Sequence, residues 1–433
     1  MSDLAITTLL VVSLFLILGS GVWIGLALSG VAWIGMQLFS ARPAGDAMAV
    51  TIWGSASSWT LTALPLFVWM GEILFRTRLS QDMFRGLAPW MQALPGRLLH
   101  VNVAGCALFA AVSGSSAATV ATIGKMSLPE LKRRGYPDAI AIGSLAGAGT
   151  LGLLIPPSII MIVYGVAAEV SIAQLFIAGV VPGILIALLF SGYLMVWAWR
   201  HPQLVPPADA RLPLRDKLRE SRHLIPVVLL IAAVLGSIYA GIATATEAAA
   251  IGVVGALVIS AAQGSLTWAT FRDSLIGGTR LYCMIALILA GAAFLTLSMG
   301  YIGLPRHLAE WIATLGLSPF ALLLALMLFF ILLGCFLDGI SMVVLTMGVI
   351  LPTITKAGID PLWFGIFVVL VVEMAQITPP VGFNLFVLQG MTQREIGWIA
   401  RVTLPFFVLM VAAVGLIYVF PELVTFLPQQ MRR

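Results

Sequence analysis

The chain has 433 residues, of which 61% are hydrophobic and 9% charged, and it carries a formal net charge of +5. Soluble domains hold about 25% charged and about 45–50% apolar residues, so this composition excludes an ordinary water-soluble globule. The positive balance does not mark a nucleic-acid binder. Its Lys and Arg residues stand in short polar stretches beside apolar runs, without interleaved aromatics, as residues that orient a chain in a membrane do.

A hydrocarbon core of ~30 Å takes about 20 helical residues to cross, so the apolar runs predict about ten to twelve passages through a lipid bilayer. The opening Met-Ser-Asp-Leu-Ala-Ile has no basic stretch and contains Asp3, so residues 5–18 read as a retained first helix. Further spans are expected at 21–39, 52–74, 138–165, 171–199, 223–240, 243–263, 281–303, 362–388 and 402–420. Two more apolar segments, 98–124 and 320–350, are interrupted halfway. The first is broken by Ser113-Gly114-Ser115-Ser116, the second by Asp338-Gly339 with Ser341. Backbone freed by such a break cannot face lipid, so both segments read as re-entrant hairpins buried in protein or lining a cavity. Cys106, Cys283 and Cys335 lie in apolar surroundings without a CxxC pair and read as small packing residues.

This drawing puts 75–97, 125–137, 200–222, 264–280 and 389–401 on one side, with 18 of the 23 Lys and Arg residues. Arg42, Arg306, Lys356, Arg432 and Arg433 fall on the other. The rich side is then cytoplasmic and both termini are periplasmic. Residues 200–222 form a polar linker, broken by Pro202, Pro206, Pro207 and Pro213 and ending in an interfacial amphipathic stretch from Leu214 to His223.

The linker divides two halves that resemble each other. Shifting the chain by 223 puts Ser115 on Asp338, Leu128-Pro129 on Leu351-Pro352, Gly135 on Gly358, and Pro156-Pro157 on Pro379-Pro380. Five crossings precede the linker, so the second half is expected to be inverted. Inverted repeats with discontinuous helices are a secondary-transporter pattern. The expected fold class is therefore an all-α polytopic membrane protein of two inverted repeats with re-entrant hairpins and broken helices. Residues 1–74 would be scaffold helices of the first repeat, and 75–199 its hairpin, broken helix and following helix. Residues 223–303 would be the second scaffold, and 304–433 the second hairpin, broken helix and C-terminal helix.

Four segments carry the chemistry: SGSSAATVATIG (113–124), GAGTLGLLIPPS (147–158), GCFLDGISMVVLT (334–346) and EMAQITPPVGFN (373–384). Unwound carbonyls with Ser and Thr hydroxyls suit a small hard cation, and fresh helix N-termini favour an anionic group. The same small residues also let helices pack closely, an alternative that the sequence leaves open. Asp338, beside a glycine break, fits ion binding or tip structure. Glu247 and Glu373 fit a hydrogen-bonding role as well as a transport role, while Glu72 and Glu169 read as interfacial. No Lys or Arg lies deep in a span, so an anionic substrate would need neutralising by helix termini, hydroxyls and a bound cation. An enzyme is not expected. His100, His201, His223 and His307 all fall near span ends or in loops, leaving Ser115 without a base.

The segments SGSSAATVATIG, GTLGLLIPPS, GIATATEAAAIG, the Leu-Asp-Gly-Ile-Ser tip and ITPPVGFNLFV resemble the large membrane subunit of tripartite ATP-independent periplasmic (TRAP) transporters, the DctM-like family. The resemblance spans essentially the whole chain. It implies elevator movement, sodium ions as the coupling ions with no other cofactor, a small four-helix membrane partner and a periplasmic substrate-binding protein. It also implies a first sodium site at Ser113, Ser115 and Ser116 with Gly149 and Thr150. A second would use Asp338, Gly339 and Ser341 with Thr378, Pro379 and Asn384. The organic anion, a C4-dicarboxylate or a sialic acid for instance, would sit between the tips near Ser116, Thr119, Pro156, Pro157 and Pro380. Two positions depart from the family pattern: Ala245, where members often have Pro, and Gly348, where a Pro often follows the second tip. A stand-alone sodium/dicarboxylate symporter of related architecture is the rival reading.

Overall fold

The computed structural model describes residues 3–207, 213–334, 337–379 and 382–431. Among the described residues the secondary structure is helical, without strands. Two apolar helices open the chain, α1 (Asp3–Gly19) and α2 (Ile24–Phe39). Next come α3 (Ala44–Ala56) and α4 (Ala63–Phe75), bent by 53° at a short 3-10 turn. A surface helix, α5 (Leu79–Met91), leads to the first hairpin, α6 (Leu99–Ser113) and α7 (Ser116–Arg133). The broken helix follows as α8 (Asp138–Gly149), the single turn α9 (Leu151–Leu154) and α10 (Ile159–Ala167), bent by 42°. The half closes with the long α11 (Ile172–Arg200) and the polar α12 (Leu214–Ser221).

The second half runs α13 (Ile225–Tyr239), α14 (Ala245–Ala262), α15 (Trp268–Ile302) and α16 (Leu304–Thr314). Its hairpin is α17 (Pro319–Leu333) and α18 (Gly339–Lys356), and its broken helix α19 (Pro361–Gln376) and α20 (Phe383–Thr392). α21 (Ile396–Val419) and α22 (Glu422–Gln430) end the chain. Among the described residues, six helices are long and apolar enough to cross a bilayer, and eight if each bent pair counts as one span. Five shorter apolar helices add to these, including α1, α2 and the first limb of each hairpin.

The helices fall where the apolar runs predict, with informative exceptions. The expected span 281–303 is the C-terminal part of α15, which runs 35 residues, about 52 Å at 1.5 Å per residue. Arg272, Asp273 and Arg280 end the apolar window without ending the helix, because polarity interrupts hydropathy but not backbone hydrogen bonding. Residues 75–97 and 304–319 contain α5 and α16, amphipathic helices with no apolar run to announce them.

The order of elements repeats. α7 begins at Ser116 and α18 at Gly339, 223 residues later, and the same interval separates α8 at Asp138 from α19 at Pro361. Packing repeats as well. α2 lies along α15 as α14 lies along α4, and α7 lies on α20 as α18 lies on α10. Exchanging the halves turns each pair into the other.

Lipid offers no hydrophobic drive for helices to associate, so they hold together by close packing of small residues. A Cβ added at Gly25 would stand 2.4 Å from Leu287 O, and one at Gly291 would stand 2.2 Å from Gly25 O. The α2 and α15 backbones therefore touch. Gly291→Ala is expected to destabilise the protein by roughly 1–3 kcal/mol or more through overpacking. Gly300→Ala, on the same helix with open space around it, is expected to be neutral or stabilising by up to about 1 kcal/mol. Thermal melting of both variants in detergent checks the pair.

Candidate functional site

The first hairpin turns on Gly114, whose φ of +60° lies in the left-handed region that glycine tolerates best. A Cβ there would stand 2.9 Å from Pro157 O, and Gly114 O accepts from Ile159 N at 3.4 Å. The tip is thus seated on the break beyond Pro156-Pro157, both of which are buried. Ser115, in extended conformation, caps α7 by accepting from Ala118 N. Thr119 Oγ1 donates to Ser115 O at 2.8 Å and lies 2.9 Å from Ser113 Oγ. These hydroxyls close the turn on itself.

Small residues let the tip meet the broken helix. A Cβ at Gly152 would stand 2.5 Å from Ser116 Cα, and one at Gly149 would stand 2.1 Å from Val120 Cγ2. Neither helix has room for a larger residue there. Thr150, also buried, turns its hydroxyl back to donate to Gly147 O at 2.6 Å.

Across from this contact stands Glu373 of α19, which is 0% exposed. Its Oε1 accepts a short hydrogen bond from Ser116 Oγ and another from Leu153 N at 2.9 Å. Among the described residues its Oε2 has no hydrogen-bond partner. The second half is thereby bonded to the first half's tip. One turn further along α19, Gln376 reaches the other tip, where a Cβ at Gly339 would stand 3.3 Å from its Nε2.

The second tip is capped more strongly. Asp338 Oδ2 accepts from Ile340 N at 3.1 Å and Ser341 N at 3.4 Å, while Oδ1 accepts a short hydrogen bond from Ser341 Oγ. A carboxylate at this position satisfies two of the amides that open α18. Thr378 Oγ1 donates to Met374 O at 2.7 Å, and a Cβ at Gly382 would stand 2.9 Å from Thr378 O. Pro379 is exposed in the gap between α19 and α20. Pro380 and Cys335 lie outside the described residues.

The expected groupings are met unevenly. Ser113, Ser115, Ser116, Gly149 and Thr150 gather at the first tip, and Asp338, Gly339 and Ser341 at the second. Asn384, expected with the second group, stands elsewhere. The break after α19 turns α20 onto α7, and Asn384 Nδ2 lies 3.7 Å from a Cβ position at Gly149. Asn384 is fully buried, with neither Oδ1 nor Nδ2 partnered among the described residues. Ser116 is 1% exposed and Thr119 is 0% exposed, so a substrate meets them only if the tip moves.

Glu247, for which two roles stood open, is a helix cap. Its Oε2 accepts from Thr244 N and Thr244 Oγ1, both at 2.8 Å, and Thr244 Oγ1 accepts from Glu247 N at 3.3 Å. Glu72 pairs with Arg76 at 3.0 Å near a span end.

A cavity of about 960 Å³ lies beside the second hairpin. One wall is α3, its following turn, the start of α14 and α15; the other is the α10–α11 turn and α18. Eight Ser and Thr residues line it, Ser55, Ser58, Thr244, Thr246 and Thr296 among them, with Glu169 as the one charged lining residue. Gly348 is part of the seam, where a Cβ would stand 2.3 Å from Thr296 Oγ1. None of Ser116, Thr119, Pro156 or Pro157 lines this cavity.

Residues 9–423 match the family model "Tripartite ATP-independent periplasmic transporter, DctM component". The C4-dicarboxylate TRAP transporter large permease protein DctM of Pseudomonas aeruginosa is 35% identical, over 88% of this chain and 87% of its own length. The isethionate TRAP transporter permease protein DctMQ of Oleidesulfovibrio alaskensis is 32% identical, over 92% of this chain and 62% of its own. A crystal structure of the Alcanivorax borkumensis YdaH transporter shares the fold, with a TM-score of 0.64 at 15% identity, over 87% of this chain and 88% of that one. The match to the family model over nearly the whole chain, with a DctM relative 35% identical and matched over most of both lengths, makes this chain a multi-pass membrane protein of the DctM family, the large permease component of a tripartite ATP-independent periplasmic transporter.

Proposed function

We propose that this chain is the transmembrane engine of a sodium-coupled, binding-protein-dependent secondary transporter that imports small organic anions by an elevator motion. The observation that carries the reading is α19, which bonds to the first tip through Glu373 and packs on the second through Gln376. Both hairpins and both breaks then belong to one compact body able to travel as a unit. α2, α4, α14 and α15 form the other body, a static scaffold, and the hydroxyl-lined cavity runs along the seam between the two.

Sodium coupling is supported by the chemistry of the tips. Segments 113–124, 147–158, 334–346 and 373–384 contain no Lys, Arg or His. An anion between the tips, near Ser116, Thr119, Pro156, Pro157 and Pro380, is neutralised by sodium ions and by the N-termini of α7 and α18. Backbone carbonyls and hydroxyls at the breaks are the ligands a hard monovalent cation takes.

The repeated element order and reciprocal packing, with an odd number of crossings before the linker, support an inverted pair of repeats. Such a body faces either side of the membrane at similar energy, which alternating access requires. The Lys- and Arg-rich loops are cytoplasmic and the protein sits in the inner membrane with periplasmic termini. C4-dicarboxylates and isethionate, named for the relatives, are small organic anions, and this chain takes a substrate of that class. A periplasmic binding protein delivers it, and a small four-helix subunit flanks the scaffold.

Uptake by the reconstituted complex with its binding protein is expected to stop when choline replaces sodium. Equal rates in both salts reject the coupling, and uptake by this chain alone in liposomes favours a stand-alone symporter.

Replacing Ser115 and Ser116 together by Ala is expected to raise the sodium concentration for half-maximal transport, roughly tenfold for about 1.4 kcal/mol of lost cation binding. Stability in choline is expected to fall as well, by about 0.5–2 kcal/mol for the lost α7 cap, so the sodium dependence is the deciding readout. An unchanged sodium dependence assigns these hydroxyls to packing.

A Thr296→Cys, Gly348→Cys pair, in a chain whose own cysteines are replaced by alanine, tests the motion. A Cβ at Gly348 would stand 3.1 Å from Thr296 Cβ, near the ~3.5–4.5 Å of disulfides. Oxidation is expected to stop transport and reduction to restore it. Full transport with the bridge closed means that the hairpins do not travel.

A further inference from the structure

The neutral ligand set at the first tip raises a question of charge. Ser113, Ser115, Ser116, Gly149 and Thr150 offer hydroxyl and carbonyl oxygens and no carboxylate, whereas the second tip has Asp338 of its own. In the shift that superposes the halves, Thr150 falls on Glu373. The first half lacks a carboxyl group where the second half has one.

We propose that Glu373 and Asn384, both from the second half, complete the first-tip cation site, Glu373 as its fixed negative charge and Asn384 as a neutral oxygen ligand. The proposal rests on the sodium-coupled reading above. Ser116 Oγ and Leu153 N hold Glu373 Oε1 against the tip, which fixes the carboxyl group there and leaves fully buried Oε2 without a donor. Ser116 Oγ donates its hydrogen bond to Glu373 Oε1, so its oxygen can still accept and serve as a cation ligand. Asn384 stands at Gly149 and Glu373 at Leu153, four residues on along the same helical strip, about 6 Å at 1.5 Å per residue. Two buried side chains from another helix pair, both with unpartnered oxygens, thus flank one turn of the broken helix beside the first turn of α7. An unpartnered buried carboxylate oxygen is costly, and pairing it with a cation removes the cost. One carboxylate among neutral oxygens balances a single positive charge, so the ligand is a monovalent cation, sodium in the coupled reading.

The bridge also has a consequence for the motion. A cation held by residues of both halves ties the first hairpin to α19, so the body that travels is loaded only when its two halves are locked together.

The test is sodium-dependent thermal stabilisation of the full chain purified with its small subunit, titrated with sodium chloride against choline chloride. Glu373→Gln keeps an acceptor for Ser116 and Leu153 N but removes the charge. Its melting in choline should equal or exceed that of the unmodified protein, because the uncompensated buried charge is gone, while the sodium concentration for half-maximal stabilisation rises at least tenfold and a two-site response falls to one site. Adding Asn384→Asp to Glu373→Gln returns a carboxylate to the site and should recover most of the lost affinity. A sodium response in Glu373→Gln equal to that of the unmodified protein overturns the proposal and leaves sodium coupling standing. No sodium response in the unmodified protein removes the coupled reading and the proposal with it. If Glu373→Gln alone does not fold, the double variant decides: a two-site sodium response supports the charge assignment, and a one-site response overturns it.

Discussion

Backbone amides and carbonyls released by a broken helix find no partner in hydrocarbon, and each one left bare there costs several kcal/mol. Two hairpin tips and two interrupted helices create such groups in this chain, and the fold answers by turning the breaks upon one another. Gly114 O takes Ile159 N at the far side of the first break, Ser115 and Asp338 cap the helices that restart, and Glu373 takes Leu153 N together with Ser116 Oγ. The polar backbone that a transporter needs for ion binding is the polar backbone that lipid forbids. Burying it in a self-contained body meets both demands, and that body is the part that travels in the proposed elevator motion.

The scaffold follows a different rule. Its helices meet through glycine, with Gly25 and Gly291 bringing two backbones into contact and Gly252 accepting Met70 of α4. Few polar bonds join this packing, Ser298 Oγ donating to Ala32 O at 2.9 Å and Trp69 Nε1 to Ser274 Oγ at 3.3 Å. The seam between the two bodies is less uniform. Gly71 of α4 lies against Ser113 O, where a Cβ would stand 2.9 Å away, and Gly348 lies against Thr296. Elsewhere along the seam the cavity separates the walls and presents hydroxyls. In the proposed motion, surfaces that touch at a few glycines and part at a hydroxyl-lined cavity slide at lower cost than interlocked ones.

Much of this was legible in the sequence because the breaks announce themselves: Ser-Gly-Ser-Ser, Asp-Gly and Pro-Pro have no other reason to stand inside apolar runs. The start of α18 223 residues after α7 bears out the shift that aligned the punctuation. Hydropathy was blind to α5, α16 and the first third of α15, where helices continue through polar residues. Glu247 was legible in a way that hydropathy hid. Thr244 three residues before Glu247 is a capping-box pattern, and counting the carboxylate as a residue of the span obscured it. Asn384 was beyond reach, since its place depends on the direction α20 takes after the break and no local pattern encodes that angle. The same holds for Glu373, whose partners lie 257 and 220 residues away.

The halves have diverged where their chemistry meets. Asp338 takes the capping place that Ser115 holds in the first half, and Glu373 takes the place of Thr150. Each substitution puts a carboxyl group in the second half and a hydroxyl in the first. Were the halves independent, one would bind a cation with charge and the other without. α19 lies between the tips, however, so a carboxyl group on it serves the tip opposite its own half, while Asp338 serves its own. A duplicated fold therefore needs only one of its two copies to carry the charges, provided that copy's central helix touches both tips, and that asymmetry binds the repeats into a single working unit.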